Sequence, residues 1–213
     1  MKGFTNQSGS RVVHDMIKTV QQNKQYLSDV DGAIGDGDHG INMSKGFTLC
    51  EKELEQNPGD LSYSLKTLST ILMRDIGGSM GPLYGMMFKS MARVCNGKEM
   101  IDAEVFSEML KAAETAVIEM GNAEVGDKTL LDSLVPAVRM FSESADEGKG
   151  FAQALDLMKG AAVAGRDSTI EMIANVGRAS RLGERSRGFL DPGAVSCCLI
   201  LCSMADSIKT LIS

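Results

Sequence analysis

Glycine-rich breaks cut the chain into apolar stretches of helical length, and this alternation restricts its fold more than any other feature. Val12, Val13, Met16, Ile17, Val20 and Leu27 recur at near-helical spacing, which predicts an amphipathic helix over Ser8–Ser28, capped by Ser8 or Ser10. A second helix is expected over Ile41–Gln56, stopped near Pro58–Gly59. A third begins at Asp60 or Ser62 and runs to Ile76. Gly77, Gly78 and Gly81–Pro82 then interrupt the chain before a fourth, Leu83–Asn96. The fifth covers Asp102–Met120, with Ala112, Ala113, Ala116, Val117 and Met120 on its apolar side. Asp127–Ser144 is the sixth, and Pro136 should kink it. Gly150–Asn175 is the seventh, Gly177–Gly188 reads as irregular and polar, and Asp191–Pro192 opens the last helix, where proline suits the first turn. Strand-like alternation bounded by turns is hard to find.

About eight helices of ordinary length, with no Pro/Ser-rich linker and no internal repeat, imply one all-α domain spanning 1–213. In an up-and-down bundle alternate connections share one end. The breaks at Gly35–Gly40, Gly77–Gly81, Gly121–Gly126 and Gly177–Gly188 can therefore meet there, where a ligand needing close backbone approach would fit. The net charge of −6 and pI near 5.0 advertise no basic surface, which argues against nucleic acid and anionic membrane as partners. AVSCCLILCSMA, residues 194–205, is too short to span a bilayer and reads as a buried helix. The five cysteines include no CxxC pair, so buried reduced thiols are expected rather than zinc. The N-terminal MKGFTNQSGSRVV has no apolar export segment, so the expected location is cytoplasmic.

Residues 31–40, DGAIGDGDHG, concentrate Asp31, Asp36 and Asp38 on a glycine-rich backbone beside His39. Gly35, Gly37 and Gly40 match GxGxxG formally, but no strand precedes them and the aspartates would repel bare phosphate. Ile41–Asn42 stands where a P-loop needs Lys–Ser/Thr. Counting from Asp36, the twelfth position is Phe47, where an EF-hand needs Glu. Two readings stay open. One is a solvated acidic turn entering a helix start. The other is a Mg²⁺ site whose ions invert the local charge and attract a polyphosphate. GGSMGP at 77–82 places backbone N–H groups and Ser79 at a helix head, an anion nest. GDKTLLD at 126–132 offers Lys128 and Thr129 at another helix start. The 177–193 stretch carries four arginines, as pocket wall or as solvated loop. His39 either contacts a phosphate or caps the next helix, and His14 is structural. No Ser–His–Asp arrangement is visible.

DGAIGDGDHGINM, GGSMGPLYG, GDKTLLDSLVPA and GRASRLGERSRGFLDPGAVS, in that order, resemble the signature blocks of the nucleotide-binding L subunits of dihydroxyacetone kinases. The resemblance implies a closed antiparallel barrel of eight amphipathic helices, with ADP or ATP held in the loops at one end. It implies that Asp31, Asp36 and Asp38 coordinate two Mg²⁺ ions, and that His39, Gly40, Ile41 and Asn42 line the phosphates. Ser79 and Met80 would add donors. Gly121, Thr129 and Leu130 would border the base, while Arg178, Asp191, Pro192 and Gly193 complete the wall. Relatives usually carry Ser at the position of Met80, so a hydroxyl worth about 0.5–1.5 kcal/mol is missing.

The resemblance further implies that the chain carries no catalytic residue beyond the metal–nucleotide site and is inactive alone. A separate K subunit would hold the ketose. A phosphohistidine carrier protein of the phosphotransferase system would rephosphorylate the bound ADP. Two alternatives remain within the resemblance. One is an ATP-exchanging subunit for another acceptor, such as a four-carbon ketose or a fatty acid. The other is a nucleotide-loaded regulator that binds a transcription factor.

Overall fold

A computed structural model describes residues 3–213. Among them the chain forms a two-residue strand β1 (Phe4–Thr5), then helices α1 (Asn6–Gln22), α2 (Lys24–Ile34), α3 (His39–Gln56), α4 (Leu61–Asp75) and α5 (Met80–Cys95). Strand β2 (Met100–Ile101) precedes α6 (Ala103–Gly121), α7 (Leu131–Asp146), α8 (Phe151–Ser168) and α9 (Pro192–Ile212). The protein is all-α apart from the β1–β2 pair, which is antiparallel with Phe4 opposite Ile101.

The helices close on themselves. Each packs on the next in sequence from α2 to α9, and α9 returns to α1 and α2. The short connections make sequence neighbours antiparallel. The stretch predicted as one helix from Ser8 divides at Asn23, whose side-chain amide donates to the Thr19 carbonyl at 2.8 Å. Such a local bond offers the backbone an alternative to continued helix. Counted as one broken stave, α1 and α2 complete a ring with α3–α9. The start of α1 is set by Thr5 rather than Ser8 or Ser10: the Thr5 hydroxyl accepts the Ser8 N–H at 3.0 Å.

Other boundaries shift for physical reasons. Helix α5 begins at Met80, because Gly81 and Pro82 fit a first turn, where the missing proline N–H costs nothing. Helix α7 begins only at Leu131, since the Asp132 carboxylate holds the preceding turn by accepting the Thr129 N–H at 2.7 Å. It then runs on through Pro136. The Asp132 carbonyl has no N–H to receive from Pro136, and α8 approaches it at Gly165, where a side chain would collide. Helix α8 stops at Ser168, seven residues short of the predicted end, and a 3₁₀ turn follows at Thr169–Glu171. The predicted irregular stretch contains 3₁₀ turns over Arg178–Ser186, divided at Gly183 with φ 54°.

The apolar stripes meet in one continuous core. Val12, Val13, Met16, Ile17 and Val20 of α1 are all at most 1% exposed, each contributing on the order of 1.5–3 kcal/mol. Phe106, Phe141 and Phe151 form a mutual cluster joining α6, α7 and α8. Helix α9 is long and apolar enough to cross a membrane by length and composition. Here Val195, Cys197, Ile200, Leu201, Met204 and Ile208 are buried against the surrounding helices, as expected of a core helix. All five cysteines are free thiols; burial pushes Cys50 up to about 12 and Cys95 up to about 11.

Candidate functional site

The α2–α3, α4–α5, α6–α7 and α8–α9 connections all border one cavity of about 720 Å³. These are the alternate connections of the ring, so the cavity occupies one end of it.

Asp31 lies on the last turn of α2, Asp36 in the following turn and Asp38 at the start of α3. Gly37, at φ 77°, supplies the reversal between them. Gly40 lets the turn lie down on α2: a β-carbon there would strike the Lys24 carbonyl and Ser28. One oxygen from each of the three carboxylates lies within 4.8 Å of the others. Asp31 is buried and accepts the His39 N–H at 3.2 Å. Asp36 and Asp38 are exposed, and the Arg178 guanidinium pairs with Asp36. Three convergent hard oxygens with an open side fit Mg²⁺, which keeps several waters and takes one or two carboxylates.

Helix starts face this acidic cluster. Helices α3, α5 and α7 open at Asp38, Ser79 and Leu130, none of which caps its helix with a side chain. Their N–H groups and positive dipole ends suit an anion. Helix α9 differs: Asp191 accepts the Ala194 N–H at 2.7 Å. Ile34, Leu83, Val117, Met120 and Leu130 give the cavity an apolar side.

Below the cavity a polar chain joins three helices. His39 Nε2 lies 2.8 Å from Ser196 Oγ, and Tyr84 Oη lies 2.7 Å from the same oxygen. Tyr84 also donates to the Gly193 carbonyl at 3.2 Å. Burial pushes His39 down to about 4 against the opposing pull of Asp31. His39 is therefore neutral near pH 7 and acts as a hydrogen-bonding group rather than a charge.

The far wall is stitched by buried charges. Asp132 accepts N–H groups of Gly126 and Thr129 at 2.6 and 2.7 Å. Asp191 is raised to about 7, by burial first and the nearby Asp132 next. Lys128 is 2% exposed. The sequence placed it at a helix start, and its ammonium reaches into the carbonyls of Thr169, Met172, Ser186 and Phe189 at 2.6–3.2 Å.

Of the residues singled out from sequence, Asp31, Asp36, Asp38, His39, Asn42, Ser79, Met80 and Gly121 border the cavity, as do Lys128, Thr129, Leu130, Arg178, Asp191, Pro192 and Gly193. Gly40 is buried against α2, and Ile41 is 51% exposed with its side chain outside the cavity. Asp132, Tyr84 and Ser196 were missed. Asp132 had one available signal, a carboxylate at the head of an apolar helix behind a Gly–Asp turn. Tyr84 and Ser196 lie within apolar runs, and only the folded ring brings them to His39.

The DAK2 domain family matches residues 33–206. The PEP-dependent dihydroxyacetone kinase 1, ADP-binding subunit DhaL, of Listeria innocua is 38% identical over 91% of this chain and 92% of that protein. The PTS-dependent dihydroxyacetone kinase, ADP-binding subunit DhaL, of Lactococcus lactis is 37% identical over 83% of this chain and 84% of its own length. Crystal structures of the dihydroxyacetone kinase of C. freundii share the fold. The TM-score is 0.72 for the native form and 0.68 for the complex with AMP-PNP and Mg²⁺, at 22% and 21% identity. Each covers 93% of this chain, which spans about a third of the C. freundii chain (34% and 33%). With a match of this extent and subunit-length relatives at this identity, the chain belongs to the DAK2 domain family.

Proposed function

We propose that this chain is the Mg²⁺-dependent, ADP-binding subunit of a dihydroxyacetone kinase. It would pass a phosphoryl group from bound nucleotide to a small ketose held by a partner K subunit. The observation that carries the reading is the convergence of the Asp31, Asp36 and Asp38 carboxylates at the mouth of a cavity ringed by uncapped helix starts. Relatives of matching length named as ADP-binding subunits support it. Their PEP- and PTS-dependent names favour rephosphorylation of bound ADP by a phosphohistidine carrier protein over exchange with free ATP. The chain as given is proposed to act as one nucleotide-binding domain in the cytoplasm.

In this reading Asp31, Asp36 and Asp38 hold two Mg²⁺ ions. Bound there, the ions neutralise phosphate charge and polarise the transferring group. The chain's own residues position. The backbone N–H groups opening α3 and α5, with the Ser79 hydroxyl, receive phosphate oxygens, and Asn42 borders them. Neutral His39, fixed by Ser196, shapes the floor without adding a charge that would repel the ions. Gly121, Thr129 and Leu130 hold the base against the apolar side. Arg178 gives up its pairing with Asp36 and turns to phosphate, a switch of partner available to an exposed guanidinium. Asp191, Pro192 and Gly193 complete the wall. Phosphoryl transfer needs little covalent chemistry from a protein, so positioning and charge neutralisation account for the activity.

The test is to denature the purified protein and identify the released small molecules by chromatography. Stoichiometric ADP is the expected result. An empty protein that binds ATP reversibly would replace the carrier-dependent scheme with an exchanging one, and a protein that binds neither would end the reading. Met80 favours a second question, the identity of the acceptor. A panel of three- and four-carbon ketoses, assayed with the cognate K subunit, answers it.

A further inference from the structure

The connection between α8 and α9 carries Arg178 and the Asp191–Gly193 turn to the cavity, yet it contains no α-helix. What holds it is unusual. The Lys128 ammonium reaches Thr169, Ser186 and Phe189 carbonyls at 2.7, 2.8 and 2.6 Å, and Met172 at 3.2 Å. An ammonium has three hydrogens, so four carbonyls share them. Thr169 and Met172 precede the Arg178–Ser186 turns, Ser186 ends them and Phe189 follows, so the acceptors come from both limbs of the connection. Lys128 itself sits at φ 62°, a left-handed conformation uncommon for a residue with a side chain. That conformation is imposed on the turn preceding α7, where Asp132 takes the flanking N–H groups of Gly126 and Thr129. Thr169 and Ser186 are fully buried. Without the ammonium, carbonyls would face one another at a dry point with no donor between them.

We propose that Lys128 is a positioning residue for the nucleotide site: its ammonium gathers the 169–189 carbonyls and so sets Arg178 and the Asp191–Gly193 turn against the cavity. The inference rests on the nucleotide reading for its consequence, but not for the holding itself. Other links span the connection: Gly188 N–H to the Ile170 carbonyl at 2.7 Å, Arg187 to the Glu171 carbonyl at 2.7 Å, Ala174 N–H to Ser186 Oγ at 2.9 Å, and Asp191 N–H to Thr169 Oγ1 at 3.1 Å. A second tie runs from the α6–α7 loop, where Asp127 accepts from the Asn175 side chain at 2.9 Å. Lys128 therefore works in the same direction as its neighbour and couples the base-side loop to the phosphate-side loop.

The experiment compares wild type, Lys128→Met and Lys128→Ala by Mg–ADP titration, helix content and amide hydrogen exchange. Both variants are expected to keep wild-type helix content and to lose exchange protection across 169–191. Mg–ADP binding should weaken by roughly 10- to 100-fold, the range seen when groups behind metal ligands are removed. In Lys128→Ala, ammonium chloride should restore much of the affinity while choline chloride at equal ionic strength does not; a side chain that merely filled space would show no such rescue. Unchanged protection at 169–191, affinity equal to wild type, or collapse of the whole ring in both variants would overturn the proposal. If wild type itself binds no nucleotide, the functional reading fails separately, and the exchange result still decides whether Lys128 holds the connection.

Discussion

The two ends of the ring treat most of their helix starts in opposite ways. At the end away from the cavity, Thr5 caps α1, Asp60 caps α4 and Asp102 caps α6, each by accepting an N–H three residues on, while α8 opens at Gly150 without a side-chain cap. The β1–β2 pair adds to that end, and the buried Asn6 amide donates to the Cys95 and Lys98 carbonyls at 2.8 and 2.9 Å. At the cavity end the residues opening α3, α5 and α7 do not cap them, although Asp31 takes the first N–H of α3 and the Thr129 hydroxyl the first of α7, and α9 has its own carboxylate in place. One end satisfies most of its helix starts internally, which favours stability. The other leaves donors at the starts of α3 and α5, and the positive dipole ends, open beside carboxylates arranged for a cation. A polyphosphate carrying divalent ions is the kind of ligand that would satisfy both.

The strongest way to break this contrast is at the acidic turn. Asp36→Asn and Asp38→Asn should each weaken Mg–ADP retention by roughly 100-fold or more, beyond the range for residues behind the ligands. Unfolding free energy without ligand should stay within about 0.5 kcal/mol, because both side chains are exposed and the Asp36–Arg178 pair is solvated. Calorimetric titration and denaturant unfolding measure the two quantities. Retention equal to wild type would remove the metal from the account.

The one capped helix at the cavity end gives the next effect. Asp191 is buried and raised to about 7, so the folded state binds a proton more tightly than the unfolded chain does. Its protonated form is stabilising below about pH 4, and that contribution is lost as pH rises to about 7. Asn caps as well as Asp but carries no charge. The advantage of Asp191→Asn over wild type should therefore grow from pH 4 to pH 7, reach on the order of 2–4 kcal/mol, and level off above. The nearby His39, lowered to about 4, bends both curves alike as pH falls below about 6.5 and cancels in the difference. A difference independent of pH would mean that Asp191 is ionised throughout.

At the opposite end the same type of residue should act on stability alone. Asp60→Ala and Asp102→Ala remove caps whose bonds measure 2.8 and 3.0 Å. Each should cost about 1 kcal/mol in thermal or denaturant unfolding and leave Mg–ADP affinity unchanged. Weakened binding in either variant would show that the two ends are not independent.

The ring was legible from sequence because its signals are local. Apolar spacing and glycine breaks located every stave, and Asp60 and Asp191 announced their helices as caps. What was illegible depends on where side chains travel after folding. The α1–α2 division at Asn23 turns on one amide choosing a carbonyl four residues back. Lys128 could be placed at a helix start from its Gly, Asp and Thr neighbours, but its acceptors lie 41 to 61 residues away. The acidic turn could be read as a cation site from charge alone. That Gly40 also permits close packing of the turn on Lys24 and Ser28 needed the folded backbone.

Met80 gives the smallest effect and divides the contrast most finely. It stands at the first position of uncapped α5 and borders the cavity, where the resemblance expects a serine. Met80→Ser returns a hydroxyl to that helix start. If the donors of α5 are kept for a ligand, the hydroxyl should join them, and Mg–ADP should bind more tightly by about 0.5–1.5 kcal/mol, a few-fold to roughly tenfold. Stability without ligand should hold level or fall slightly, since a half-buried methionine is lost from the edge of the core. The reverse pattern, a gain in stability with unchanged affinity, would mean that the new hydroxyl had capped α5 internally. The cavity end would then be converging on the design of its opposite, and the open helix starts would no longer distinguish it.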